Sequence, residues 1–145
     1  MRSTRTLPPP ISFFLSGLDV VTPPLDGTIL PGVTRESCIT LIRSHSPISP
    51  LEALSPDIAL HVQERPFTIG DIYQWSSEAR LLEAFGVGTA VVVSGISAIG
   101  LDGHPDIEIP EHEGGLGPLG RALFNKITDI QEGRVEFGDW SYVCM

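Results

Sequence analysis

The chain has 145 residues and a mass of 15.6 kDa, the size of one ordinary domain, and its 41% hydrophobic content with a mean hydropathy of +0.16 is too apolar for a disordered chain. No apolar run approaches the roughly 18 residues that a membrane-spanning helix needs. Nine Lys and Arg against 18 Asp and Glu give a net charge of -9 and a pI near 4.7. The basic residues are dispersed along the sequence, which excludes nucleic acid and anionic membrane surfaces as partners.

Residues 1–16 (MRSTRTLPPPISFFLS) differ in character from the rest. Arg2 and Arg5 among hydroxyl residues suggest a targeting peptide, but Pro8, Pro9 and Pro10 would break the amphipathic helix that such a peptide needs. The segment reads as a disordered leader. Leu18 to Thr22 is then a short strand, and Pro23, Pro24 and Asp26-Gly27 mark a turn. After Pro31-Gly32 a helix opens, with an apolar face of Val33, Cys38, Ile39, Leu41 and Ile42 that closes before Pro47. Residues 44–59 read as loop and His61 to Pro66 as a strand. Thr68 and Asp71 have capping-box spacing, and the periodicity of Ile72, Trp75, Ala79 and Leu82 predicts a helix reaching about Phe85.

The β-branched run Thr89 to Ile99 predicts a strand buried on both faces. A return through Asp102-Gly103 leads to a strand at Ile107 to Ile109. Pro118 at a first helical position and Gly133 beyond the end bracket a helix with Leu119, Leu123, Ile127 and Ile130 on its inner face. Trp140 to Val143 is predicted to close the fold as a strand. Strands and helices in this order, with long loops, predict an α+β domain.

Few residues are placed for chemistry. Asp106, Glu108, Glu111 and Glu113 lie in a Gly- and Pro-rich stretch that reads as a solvated loop rather than an acid-base pair. His104 and His112 flank it without the three or four ligands that a metal shell needs, so no metal site is expected. Cys38 and Cys144 have neither disulfide nor zinc spacing and read as reduced intracellular thiols, Cys38 as a small core residue. Two glycine turns remain. Gly32 precedes a helix start whose N–H groups at Val33 and Thr34 face the positive dipole end. Gly86 and Gly88 lead to a turn presenting the Thr89 hydroxyl and the N–H groups of Thr89 and Ala90. Spacing alone leaves both open between anion sites and plain punctuation.

Three segments carry a resemblance: Val20 to Arg35 (VVTPPLDGTILPGVTR), Glu83 to Ala90 (EAFGVGTA) and Thr128 to Arg134 (TDIQEGR). In order and spacing they resemble the eukaryotic branched-chain-amino-acid aminotransferases, pyridoxal-phosphate enzymes of fold-type IV. The resemblance runs from about Gly17 to the C-terminus. It implies that residues 17–145 are the C-terminal part of the family's large, cofactor-binding domain, and that residues 1–16 are a disordered leader or a misassigned start of the gene. It also implies that Val33, Thr34 and Thr89 hold the pyridoxal 5'-phosphate phosphate group, and that Thr89 and Ala90 receive the substrate α-carboxylate.

The family reaction moves an amino group between leucine, isoleucine or valine and 2-oxoglutarate, in a homodimer with small-molecule substrates. The resemblance places the family's cofactor-binding lysine, the tyrosine near it and the glutamate on the pyridine nitrogen upstream of the matched stretch. Lys126, the only lysine here, falls within an ordinary helix. No catalytic residue is therefore assigned, and weak or absent cofactor binding is expected of the chain alone. Where some relatives carry a redox CxxC, this chain has Val91 and Ser94. A truncated, non-catalytic paralogue that docks onto relatives, or the product of a decayed gene, is the alternative. An intracellular location follows from the resemblance, cytoplasmic ahead of mitochondrial.

Overall fold

The computed structural model describes residues 11–52 and 54–144. Its frame is a mixed sheet of five strands, β1 (Ile11–Leu15), β2 (Asp19–Thr22), β3 (His61–Glu64), β4 (Leu81–Gly88) and β5 (Val92–Gly95), in the order β3-β2-β1-β4-β5. Only the β2–β3 pair is parallel. The central strand is therefore β1, which lies within the segment read from sequence as a disordered leader. Phe13, Phe14 and Leu15 are at most 5% exposed, and Phe13 and Phe14 pair with Val21 and Val20 on one side and Ala84 and Glu83 on the other. The proline run that suggested disorder, Pro8 to Pro10, lies outside the described residues. It ends where an alternating apolar strand begins.

Alternation along the strands sends side chains to two cores, one on each face of the sheet. On one face Phe14, Val20, Phe85 and Val93 pack against α1 (Val33–Arg43) and α3 (Pro118–Gln131). On the other, Phe13, Leu15, Val21 and Leu81 pack against α2 (Ile69–Ser77) and the two-stranded ribbon of β6 (Ala98–Ile99) and β7 (Ile107–Glu108). Helix α3 follows its sequence pattern closely: Pro118 opens it, Gly133 follows it with φ +73°, and Leu119, Leu123, Ile127 and Ile130 are buried. The α+β reading of the chain stands.

Four local readings are corrected. In α1 the buried face holds Cys38, Ile39, Leu41 and Ile42, but Val33 is 82% exposed because it sits at the free first turn. Helix α2 ends at Ser77 rather than near Phe85. Ala79 takes φ +54°, which breaks the helix, and β4 follows with a register shift against β1 that sends Leu81 to the α2 core and Glu83 and Phe85 to the α3 side. The run from Thr89 to Ile99 is a turn followed by two short strands joined by Ile96-Ser97, the first ending in an exposed Ser94-Gly95, not one doubly buried strand. Trp140 to Val143 form no strand, and Tyr142 and Val143 are more than four-fifths exposed.

The capping box on α2 is formed: Thr68 Oγ1 accepts from Asp71 N at 3.2 Å and Asp71 Oδ2 accepts from Thr68 N at 2.7 Å. Thr68→Ala removes the side-chain acceptor of the Asp71 N–H and breaks the box, so it should cost about 1 kcal/mol in a chemical denaturation experiment.

Candidate functional site

The loop 23–32 carries the chain from β2 to α1 and ends with Gly32 in extended conformation as the N-cap. A glycine here has no side chain to accept from the first turn, and no side-chain cap is formed. The N–H groups at Val33 and Thr34 therefore meet solvent at the positive end of an 11-residue helix. This is the geometry an anion needs. Val33 is exposed and Thr34 is half-buried.

The second predicted anion turn lies between β4 and β5. The strands pair Gly88 with Val92, leaving residues 89–91 to reverse the chain, and Val92 takes φ +60° to complete the reversal. Thr89 and Ala90 are exposed on this turn. The hydroxyl and backbone donors predicted to bind an anion are thus accessible.

Helix α1 packs against β4, but neither of two clefts among the described residues gathers all four predicted residues. A cleft of about 590 Å3 is lined by Gly32, Val33 and Arg35 on one side and Ile127, Ile130 and Trp140 on the other, and Thr34, Thr89 and Ala90 do not line it. Lys126, half-buried on α3, lines neither this cleft nor a smaller one of about 230 Å3 beside Glu83 and His112.

The remaining candidates are placed for structure. Cys38 is 4% exposed and burial pushes its thiol up to about 12, far from a reactive thiolate. His112 Nε2 lies 2.9 Å from the Leu82 carbonyl, and His104 is exposed near the Tyr73 ring. Asp106, Glu108, Glu111 and Glu113 are all exposed. Among the described residues no group of three His, Cys, Asp or Glu side chains is arranged to hold a metal.

Two buried charges were missed in the sequence. Arg35, 3% exposed, donates from Nη2 to the Pro23 carbonyl at 2.8 Å and to Glu64 Oε1 at 2.9 Å. Arg43 Nη2 reaches the other Glu64 oxygen at 3.2 Å, and these cations hold the Glu64 carboxyl below its ordinary range. The second is Glu83, 2% exposed on β4, whose Oε1 accepts from Gly120 N at 2.7 Å in the first turn of α3. Its Oε2 has no partner among the described residues, and burial pushes its carboxyl up, opposed by the Gly120 N–H and by His112. Arg35 was findable, since it falls at helical spacing with Cys38, Ile39 and Ile42, whereas Glu83 was not, because a register shift in β4 puts Leu81 and Phe85 in opposite cores.

The five-stranded mixed sheet with helices on both faces is shared with part of the fold of solved aminotransferases. The chain superposes on the branched-chain amino acid aminotransferase of Escherichia coli with a TM-score of 0.59 at 22% identity, over 92% of this chain and 36% of that one. It also superposes on an aminotransferase from Brucella abortus bound to the cofactor PLP, with a TM-score of 0.53 at 24% identity over 81% of this chain and 32% of that one. No protein-family model matches. In sequence the chain is 44% identical to the cytosolic branched-chain-amino-acid aminotransferase of Saccharomyces cerevisiae over 86% of its own length and 31% of the relative's. It is equally 44% identical to the mitochondrial enzyme of that yeast, over 85% of this chain and 29% of the relative.

The chain is homologous to branched-chain-amino-acid aminotransferases over most of its own length, and it spans about a third of the length of the curated relatives it matches. Those relatives include cytosolic and mitochondrial forms. Among the described residues no helix is long and apolar enough to cross a membrane.

Proposed function

We propose that this chain is the phosphate-binding part, the C-terminal portion of the large domain, of a branched-chain-amino-acid aminotransferase. The parent reaction passes an amino group between leucine, isoleucine or valine and 2-oxoglutarate. The observation that carries this reading is the uncapped first turn of α1, exposed at Val33 within a loop and helix start that resemble the family's own. Val33 and Thr34 N–H groups would hold the phosphate of pyridoxal 5'-phosphate, with the Thr89 hydroxyl as a further donor. Thr89 and Ala90 N–H groups would receive the substrate carboxylate. Both anions are then met by fixed dipoles rather than by lysines, as a chain of net charge -9 requires.

The residues fit the phosphate and offer no amine for a covalent link to the cofactor, because the one lysine lines neither of the two clefts described. When bound to a whole enzyme of this kind, the cofactor supplies the carbonyl that takes the amino group and the electron sink that permits proton transfer. Within this chain the reading is one of binding, and the placement of Lys126 favours a second reading beside it: a non-catalytic paralogue that acts through full-length relatives. A homodimer in the parent enzyme and an intracellular compartment, the cytosol ahead of the mitochondrion, go with the first reading.

The test is a phosphate and pyridoxal 5'-phosphate titration, with an affinity for the isolated chain expected at about the millimolar level once ordering costs are counted. Thr89→Val keeps the β-branched shape and deletes one donor to an anion, worth about 1.5–3 kcal/mol, so affinity should fall at least about tenfold. An unchanged titration removes Thr89 from the site.

A further inference from the structure

We propose that Arg35 and Glu64 are the positioning pair of the anion cradle: the guanidinium fixes the direction in which the first turn of α1 presents the Val33 and Thr34 N–H groups, and Glu64 fixes the guanidinium. The inference rests on the phosphate reading above.

The loop 23–32 has little else to hold it. Its hydrogen bonds are local, from Asp26 N to Pro24 O, from Thr28 N to Asp26 Oδ1 and from Gly32 N to Leu30 O, at 2.8–3.1 Å. Of its apolar side chains Leu25 and Leu30 are 47% and 79% exposed and Ile29 is half-buried, so packing anchors it only in part. The contact that joins it to the body of the protein is Arg35 Nη2 to the Pro23 carbonyl, at the point where the chain leaves β2. The same nitrogen binds Glu64 at the end of β3. One buried guanidinium thus ties the loop's beginning, the helix that ends it and a neighbouring strand into one geometry.

The charge placement argues for position over stability. A cation in the first turn of a helix is opposed by the helix dipole, so Arg35 does not help α1 to form. Burying an ion pair is also no better for stability than a well-packed apolar pair, and here Arg35 Nε is left without a partner. Arg43, in the last turn of α1, adds a second cation against the one Glu64 carboxylate, while Glu36 brings a carboxylate to the first turn.

The experiment follows the amide resonances of Val33 and Thr34 during titration of the whole chain with inorganic phosphate, alongside thermal unfolding. In the wild-type chain both amides should shift together. The double variant Arg35→Met with Glu64→Leu replaces the pair by apolar side chains. It should retain a cooperative unfolding transition while its phosphate affinity falls at least about tenfold, a separation that a purely structural pair would not produce. If that variant does not fold, Glu64→Ala carries the test, since Glu64 is one-third exposed and its loss frees the guanidinium without filling space. A folded variant with affinity within about twofold of wild type overturns the positioning role alone. Absence of any shift at Val33 and Thr34 in the wild-type chain overturns the phosphate reading and the pair with it.

Discussion

Glu83→Ala should destabilise the chain by about 2–4 kcal/mol, the sum of a lost buried hydrogen bond to a charged acceptor and the space left by the side chain. The carboxylate reaches from β4 to the first turn of α3, where Gly117 as N-cap offers no side chain and Gly120 N–H would otherwise be orphaned in the core. It thereby does from a neighbouring strand what a capping residue does locally. Gly117 is required by the same contact: a Cβ at this position would overlap Glu83 Oε2. Gly117→Ala should therefore cost about 1–3 kcal/mol alone. In the Glu83→Ala background it should cost less, because the overlap with the carboxyl has gone and only the 2.9 Å approach to the Cβ of residue 83 remains. Equal costs in both backgrounds, measured by denaturant unfolding, would show that the two residues do not share a site.

The pH dependence has a definite sign. Burial raises the Glu83 carboxyl in the folded state, so the folded state holds its proton more tightly than the unfolded chain does. Its contribution is full below the ordinary carboxylate value of about 4.3 and is lost as pH rises through the raised folded value. Glu64 acts in the opposite direction: Arg35 and Arg43 lower its carboxyl, and the stability this gives is lost as pH falls below the ordinary range. Glu83→Gln keeps an acceptor for Gly120 N–H and cannot ionise. Stability measured from mildly acidic to neutral pH should decline in the wild-type chain and stay flatter in Glu83→Gln.

What the sequence made legible was set by the range of the forces involved. The three helices announce themselves through local chemistry: Pro118 and Gly133 bracket α3, the Thr68–Asp71 box opens α2, and Gly32 with the apolar stripe of Cys38, Ile39 and Ile42 marks α1. Strand pairing is not local. Ile11–Leu15 takes its central place because β2 and β4 supply partners on both edges, which no window of residues 1–16 reveals. The end of α2 was misplaced because Leu82 fits a helical stripe by chance, while β4 offers no clean period of two, its register shift sending Leu81 and Phe85 to opposite cores, and the break shows only in the backbone at Ala79. The candidate site divides in the same way. Backbone donors at Val33, Thr34, Thr89 and Ala90 follow from glycine positions and from the family resemblance, whereas the buried partners of Arg35 and Glu83 come from elements 29 and 37 residues away.

Supplied with pyridoxal 5'-phosphate, leucine and 2-oxoglutarate, this chain should show no transamination above the cofactor's own slow reaction. Transamination needs an amine that attaches the cofactor covalently and then carries the proton across the substrate's α-carbon. The sequence offers one side-chain amine, Lys126, and the fold does not aim it at the cradle. Lys126 is half-buried on α3, beside the buried Leu123 and Ile127 that face the sheet, and the α1 cleft is lined from α3 by Ile127, Ile130 and Gln131 instead. Hydrogen bonds to a phosphate can raise the occupancy of the cofactor, but they supply neither the covalent link nor the base. Borohydride reduction followed by peptide mapping tests this directly, and sparse labelling shared between Lys126 and the N-terminal amine is expected. Stoichiometric labelling of Lys126, with turnover abolished by Lys126→Ala, would make that residue the catalytic amine and the chain an enzyme in its own right.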